Sequence, residues 1–131
     1  MNKKLYKETN EAYLQAKSSE PQVKQLSDNI LYEIIQSGDG SSPTINSIVI
    51  VRYKGSLING DLFDDNTDSP CADAFRLKDL IIGWQIALIR MHVGDKWRIH
   101  IPSKHGYGAK STAGIPKNST LIFEIELVGI G

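Results

Sequence analysis

The sequence predicts an α+β fold: an antiparallel, half-wrapped β-sheet of about five strands with one short helix across it, plus a helix at the N-terminus. Three features lead to this expectation. Residues from Lys3 to about Ser19 are good helix formers. From Asn29 onward the apolar residues alternate with polar ones, as in strands with one buried face, and only residues 80–91 return to a helical period.

The N-terminal segment, residues 1–28, reads as a helical extension that Pro21 ends. Its apolar side chains form an irregular, weakly amphipathic stripe: Leu5, Tyr6, Tyr13, Leu14 and Ala16. A helix of this length is marginal in isolation. It must therefore pack on the body, pair with another copy, or fray, and the residues alone leave these three options open.

Residues 29–131 form the main domain in this interpretation, and it begins with strands at 30–35 and 47–58. The dipeptide Asn59-Gly60 follows the second strand and predicts a two-residue type I′ hairpin, which needs positive φ at both positions. The chain then returns antiparallel through Phe63, which we expect near the concave side of the sheet.

A polar loop at 64–73 precedes a short strand at 74–77 and the helix at 80–91. The apolar spacing of that helix predicts a buried stripe. The stripe contains Ile81, Trp84, Leu88 and Met91.

Two more strands, at 96–101 and 120–128, complete the predicted sheet. Their inward residues are Trp97, Ile99 and Ile101 in the first, and Leu121, Phe123, Ile125 and Leu127 in the second. The long segment between them carries Tyr107 between Gly106 and Gly108. A loop of that length in a small domain is usually functional.

Composition limits the function classes. Fifteen Lys and Arg balance fifteen Asp and Glu in 131 residues, so no global field steers the protein onto nucleic acid, and we expect no nucleic-acid partner. The single cysteine, Cys71, rules out an internal disulfide and reads as a loop residue. The histidines His92, His100 and His105 lack the spacing of a zinc site, and we expect surface or loop positions for them and no bound metal.

No run of the sequence is long and apolar enough to cross a bilayer. Lys3 and Lys4 resemble the basic start of a signal peptide, but polar residues follow them where an apolar core would be needed. We therefore expect no signal peptide in the chain as it stands, and a leader removed earlier stays open.

Six stretches in order carry a resemblance to a known family. They are VRYKG at 51, NGDLFD at 59, FRLKDLIIGW at 75, MHVGDKWRIHIP at 91, GYG at 106 and GIPKNSTLIFEIEL at 114. From about Leu31 to Gly131 the chain resembles a bacterial FKBP-type peptidyl-prolyl cis-trans isomerase. The resemblance implies an FKBP-like sheet, a rotamase activity that assists protein folding, and proline-containing polypeptides as clients. It implies no cofactor.

The resemblance also implies a pocket. Trp84 resembles the tryptophan of its floor, Tyr107 the loop tyrosine whose hydroxyl meets the substrate carbonyl, and Asp64 the aspartate that pairs with a tyrosine hydroxyl. Tyr53 resembles an aromatic wall of the pocket, and these four are the implied catalytic residues. The implied substrate-binding residues are Phe63, Phe75, Leu80, Ile81, Ile115 and Phe123.

Each of these residues taken alone is more often structural than functional, since strand aromatics are usually core and an aspartate after a strand is usually a turn residue. Their joint arrangement reverses that preference, because aromatics from separate segments converge where a short helix leaves the sheet open. One departure from many relatives is Asp73, which replaces a second aromatic and predicts a more polar wall.

Partners and location follow from the same resemblance. The resemblance leaves open macrolide inhibitors as ligands of the pocket and a dimer through the N-terminal helix. Bacterial envelope members carry helices before the domain, so a periplasmic or lipid-anchored protein with its leader removed is expected, and a cytoplasmic location stays open. A non-catalytic chaperone or binding module that holds proline-containing segments in the same groove is the alternative function, and an adhesion or assembly role is a third.

Overall fold

The computed structural model describes residues 2–108, 112 and 114–131. Within these residues two helices, α1 (Lys3–Ser18) and α2 (Ile82–Leu88), accompany a single antiparallel sheet. Its strands are β1 (Lys24–Gln25), β2 (Leu31–Gln36), β3 (Ile48–Ser56), β4 (Leu62–Asp65), β5 (Asp73–Arg76), β6 (Lys96–Ile101) and β7 (Leu121–Ile130). The predicted fold class is confirmed, with seven strands in place of about five. The strand β1 was not predicted, because two residues are too few to show a period.

The sheet order is β1-β2-β6-β7-β3-β4, with β5 also paired to β3. The long strands β3 and β7 pair along their whole length, so β4 and β5 share the other edge of β3. The loop between them leaves a gap at Tyr53, and the buried Asn66 fills it. The Asn66 Oδ1 accepts from the Tyr53 amide at 2.6 Å, and the Asn66 amide donates to the Tyr53 carbonyl at 3.0 Å. The Asn66 side chain and its backbone amide together continue the ladder beyond the last paired residue of β4.

The hairpin between β3 and β4 differs from the predicted type I′ turn. Asn59 does not have the positive φ that this turn requires, whereas Gly60 does, with φ +92°. The Leu57 carbonyl accepts from the Gly60 amide, and the Leu57 amide donates to the Asp61 carbonyl, both at 2.9 Å. These contacts define a three-residue loop in which a left-handed glycine follows a type I turn, the next most common way to close a hairpin.

The core lies between the concave face of the sheet and α2. The predicted inward residues of β6 and β7 are all at most 5% exposed. Helix α2 can approach the sheet because Gly83 has no side chain: a Cβ there would lie 2.6 Å from two carbon atoms of Ile101. The helix is shorter than the predicted 80–91, since Leu80 and Ile81 have extended backbone and the last bond between residues four apart joins the Ile89 amide to the Gln85 carbonyl.

Helix α1 packs on the opposite face of the sheet, which is one of the three options that the sequence left open. The Asn10 side chain is 2% exposed and bonds to the start of β7, and the Tyr13 hydroxyl lies 3.0 Å from the Nδ1 of His100. The expectation that all three histidines are surface or loop residues is therefore wrong for His100, which lies in β6 and is fully buried. Its side chain points to the face away from the core, where α1 covers it.

His100 also meets the buried Glu33 carboxylate, with Nε2 to Oε1 at 2.9 Å. A carboxylate only accepts, so Nε2 carries the proton and Nδ1 accepts from Tyr13. Burial is the main cause that raises the pKa of Tyr13 to about 12, which keeps its hydroxyl a donor. Burial also lowers the pKa of His100, although Glu33 opposes that shift, so the neutral ring is favoured. None of the described helices is long and apolar enough to span a membrane.

Candidate functional site

An open cavity of about 440 Å³ lies where α2 leaves the concave face of the sheet uncovered. This volume is in the range of sites that hold small ligands. All ten residues singled out from the sequence line it: Tyr53, Phe63, Asp64, Phe75, Leu80, Ile81, Trp84, Tyr107, Ile115 and Phe123. They come from seven separate segments of the chain, which the sheet and helix bring together.

Trp84 is the centre of the aromatic cluster. Its ring meets those of Tyr53, Phe123 and Phe75 edge-on, at centroid distances of 5.0, 5.1 and 6.3 Å. Edge-to-face pairs at these distances are the geometry that aromatic quadrupoles prefer, so the neighbours hold the indole in one orientation. Trp84 is 4% exposed yet still lines the cavity. Its Nε1 is buried and finds no acceptor among the residues that the structure describes.

One wall of the cavity depends on a residue without a side chain. Phe63 and Phe123 pack edge to face at 5.5 Å across Gly55 of β3. A Cβ on Gly55 would lie 2.6 Å from both Phe123 Cε1 and Phe63 Cζ, closer than real Cβ contacts occur. Gly55 therefore sets the position of this wall, and sequence analysis did not single it out.

Tyr53 and Asp64 form the polar edge of the cavity. The Tyr53 hydroxyl donates to Asp64 Oδ2 at 2.7 Å. Burial, followed by this hydrogen bond, raises the pKa of Tyr53 well above its ordinary value, so the phenol stays neutral. The resemblance implied that Asp64 pairs with a tyrosine hydroxyl, and in the structure that hydroxyl belongs to Tyr53. This pairing fixes a neutral hydroxyl and a carboxylate beside an otherwise apolar cavity.

Tyr107 lies on a tight turn at the cavity rim and is 38% exposed. The turn closes on Ser103, whose carbonyl accepts from the Gly106 amide at 3.0 Å and from the Gly108 amide at 2.7 Å. Gly108 has φ +61°, a left-handed conformation that glycine adopts without strain. The two glycines thus present Tyr107 above the aromatic cluster.

Ile81 contributes both a side chain and a backbone group. It precedes the first residue of α2 with extended backbone, φ −59° and ψ 153°. The first amides of a helix lack partners within the helix. Within the described part of the chain the Ile81 amide meets no acceptor, which leaves it as a donor beside the cavity.

Two further residues line the cavity that sequence analysis missed, Asp79 and Thr112. Neither gives a periodic signal, since both lie in irregular segments. Asp73, expected to make one wall more polar, is not among the lining residues. Its carboxylate accepts instead from the Asn66 side chain at 2.9 Å, beside the edge-strand gap.

The chemistry that this cavity offers is non-covalent. Of the described residues that line it, none is a cysteine, serine, histidine or lysine, and its polar groups are two carboxylates, a threonine and two phenols. No group of three or more metal-ligating side chains occurs in residues 2–108, 112 and 114–131. A largely apolar aromatic surface with a few donors at its edge suits binding and orientation of an apolar ring next to a carbonyl.

Comparison with known proteins agrees with this geometry. Residues 40–128 match the FKBP-type peptidyl-prolyl cis-trans isomerase family. The peptidyl-prolyl cis-trans isomerase Mip of Coxiella burnetii is 40% identical over 124 residues, covering 94% of this chain and 54% of that protein. The outer membrane protein MIP of Legionella longbeachae is 36% identical over 121 residues, covering 92% and 52% respectively.

A solved structure gives the same result over the whole chain. The peptidyl-prolyl cis-trans isomerase from Pseudomonas syringae pv. tomato superposes with a TM-score of 0.92 at 36% identity, covering 100% of this chain and 97% of that one. The chain spans about half the length of the two curated relatives.

Proposed function

This chain belongs to the FKBP-type peptidyl-prolyl cis-trans isomerase family, and we propose that it catalyses cis-trans isomerisation of X-Pro bonds in the aromatic cavity. The observation that carries the proposal is the edge-to-face cluster around Trp84, which floors an open cavity with a neutral hydroxyl at its edge. Proline-containing segments of client polypeptides are the proposed substrates.

The reaction needs no nucleophile, metal or cofactor. Resonance in the amide gives a rotation barrier of roughly 18–20 kcal/mol and isomerisation times of tens to hundreds of seconds. As the C–N bond twists, resonance is lost and the carbonyl oxygen carries less negative charge. Transfer from water to an apolar cavity therefore costs the planar amide more than the twisted one. Selective stabilisation of the twisted form raises the rate.

Orientation supplies the second contribution. The prolyl ring would rest over Trp84, between the walls formed by Phe63, Phe123 and Ile115. The Tyr107 hydroxyl and the Ile81 amide would donate to the two carbonyls that flank the bond. The Tyr53–Asp64 pair would hold the polar edge of the cavity in place. Fixing both flanks leaves rotation about one bond as the remaining freedom.

The two tryptophans provide a matched test. Trp84 and Trp97 are 4% and 5% exposed, and each has a buried Nε1 with no acceptor among the described residues. Only Trp84 lines the cavity, whereas Trp97 stacks on Tyr32 at 4.3 Å. Changing either to Leu removes similar buried area, at less than the roughly 3–5 kcal/mol typical of a change to Ala.

A protease-coupled or refolding-coupled isomerisation assay then decides. We expect Trp84→Leu to lose most of the activity and Trp97→Leu to keep it, both measured well below their unfolding temperatures. Equal activity in the two variants would contradict the proposed cavity. Saturable binding of a proline peptide by the parent chain, with no rate above background, would favour the alternative of a chaperone that holds such segments without turning them over.

Several expectations about the whole protein stay proposals. We propose residues 29–131 as the isomerase domain and residues 1–28 as an extension of it. The name of the Legionella longbeachae relative supports a location in the cell envelope. Competition of a macrolide with a proline peptide would test inhibitor binding, and light scattering of the parent chain would test the predicted dimer.

A further inference from the structure

Part of the cavity rim is an irregular segment that carries Thr112 and Ile115. These two residues pair with each other, with the Ile115 amide donating to the Thr112 carbonyl at 2.8 Å and the Thr112 amide to the Ile115 carbonyl at 3.0 Å. Ile115 is 5% exposed and lines the cavity. The segment then rejoins the sheet at Leu121, the first residue of β7.

Helix α1 is bonded to the base of this rim at two points. The first is Asn10, a 2% exposed side chain in the middle of the helix. Its Oδ1 accepts from the Thr120 amide at 2.8 Å, and its Nδ2 donates to the Tyr6 carbonyl at 2.8 Å. Asparagine is unfavourable in a helix interior. A buried asparagine whose amide oxygen and nitrogen both form hydrogen bonds therefore indicates a role in tertiary structure.

The second point is a hydroxyl relay. The Ser119 hydroxyl donates to the Pro116 carbonyl at 2.7 Å, and its oxygen lies 2.7 Å from the Tyr6 hydroxyl. A serine has one proton to donate, so with that proton on Pro116 the Tyr6 hydroxyl must be the donor to Ser119. The relay Tyr6 to Ser119 to Pro116 thus ends on the residue next to Ile115.

The same segment is tied to the turn that presents Tyr107. The Asn118 amide donates to the Gly108 carbonyl at 2.9 Å. Asn118 has φ +62°, a left-handed conformation that asparagine tolerates better than most residues. Both rim elements of the cavity, Ile115 and Tyr107, therefore connect to one short stretch whose base α1 holds.

We propose that Tyr6 and Asn10 of the N-terminal helix are positioning residues for the isomerase site. They fix the height of Ile115 above the aromatic floor, and so set how much space remains beside the prolyl ring for the residue that precedes proline. This rests on the proposed function, and it extends the site to a helix that lies on the opposite face of the sheet and outside residues 40–128. The N-terminal helix then contributes to the preference of the enzyme for the residue before proline.

The helix offers a matched pair of variants. Tyr6→Phe removes the hydroxyl that begins the relay, and Tyr13→Phe removes a hydroxyl that bonds to His100, away from the rim. Each loses one neutral hydrogen bond from the same helix. We expect Tyr6→Phe to lower kcat/KM roughly five-fold for a peptide with a bulky residue before proline, the factor that corresponds to one such bond. A peptide with alanine in that place should lose less, so the ratio of the two changes.

Tyr13→Phe should keep the parent ratio, and Ser119→Ala, which also removes the bond to Pro116, should change the ratio at least as much as Tyr6→Phe. The double variant Tyr6→Phe/Ser119→Ala should lose no more than Ser119→Ala alone, because the relay acts as a chain. A ratio that is unchanged in Tyr6→Phe, or changed equally in Tyr13→Phe, would overturn the proposal.

Amide hydrogen exchange tests the positioning without any activity. Tyr6→Phe should speed exchange at the Ile115 amide by several-fold, and Tyr13→Phe should not. If the parent chain showed no isomerisation, the proposed function would fail while this measurement still decided the positioning. Equal exchange at Ile115 in both variants would overturn it.

Discussion

Removal of the Tyr107 hydroxyl separates catalysis from stability more cleanly than any other single change at the site. Tyr107 is 38% exposed at the rim, so Tyr107→Phe leaves the packing of the core untouched. A surface change of this kind usually shifts the free energy of unfolding by no more than about 0.5 kcal/mol. The hydroxyl would act only when a substrate carbonyl lies beneath it.

The size of the effect follows from one hydrogen bond to a neutral carbonyl. Such a bond contributes about 0.5–1.5 kcal/mol net, which corresponds to a loss of roughly two- to twelve-fold in kcat/KM. A protease-coupled assay on a proline tetrapeptide measures the loss, and urea unfolding monitors stability. Parent kcat/KM with parent stability would refute a substrate contact by this hydroxyl. A loss of kcat/KM accompanied by an equal loss of unfolding free energy would show that the hydroxyl acts through stability and not through the substrate.

Two further predictions concern the wall of the cavity and the buried histidine. Gly55→Ala places a methyl group 2.6 Å from Phe63 and Phe123, so we expect an unfolding free energy lower by about 1–3 kcal/mol and reduced kcat/KM, measured by urea unfolding and the peptide assay. Unchanged kinetics would mean that the wall does not touch substrate. The pKa of His100 is lower in the folded protein than in the unfolded chain, where it is about 6.5. The neutral ring therefore stabilises the fold fully above about pH 6.5, and this contribution to the unfolding free energy is lost as pH falls through the folded-state pKa. Urea unfolding from pH 7.5 to 5 should show this slope, and His100→Gln should flatten it.

Much of the site was predictable because alternation assigns a face to each strand residue. The period of two placed Tyr53 and Phe123 on the same face of the sheet, and helical spacing placed Trp84 on the face of α2 that packs toward them. The resemblance then supplied the roles of Asp64 and Tyr107, which no pattern distinguishes from turn residues. The convergence of these residues on one cavity needed the structure.

What escaped prediction depends on contacts distant in sequence. Alternation assigns His100 to the face away from the core, and only the presence of α1 on that face explains its burial. Asn66 reads as one more polar residue of a loop, although its side chain completes the sheet beside β3. Gly55 resembles any strand glycine until the rings of Phe63 and Phe123 are placed against it.

The hairpin shows a different limit. An Asn-Gly pair is compatible with a two-residue type I′ loop and with a three-residue loop whose last position is the glycine. The choice depends on how the flanking strands register. Here the strand β3 ends at Ser56 and β4 begins at Leu62, and the longer loop joins them. Local sequence alone does not fix that register.

The central claim is that the X-Pro bond isomerises while the prolyl segment is bound on the indole of Trp84. Nuclear magnetic resonance tests it directly, by following the Trp84 Nε1–H signal and the cis-trans exchange peaks of one proline peptide in the same titration. We predict a saturable shift of that signal, none at Trp97, and exchange whose rate grows with the bound fraction. Catalysed exchange with an unmoved Trp84 signal would contradict the claim.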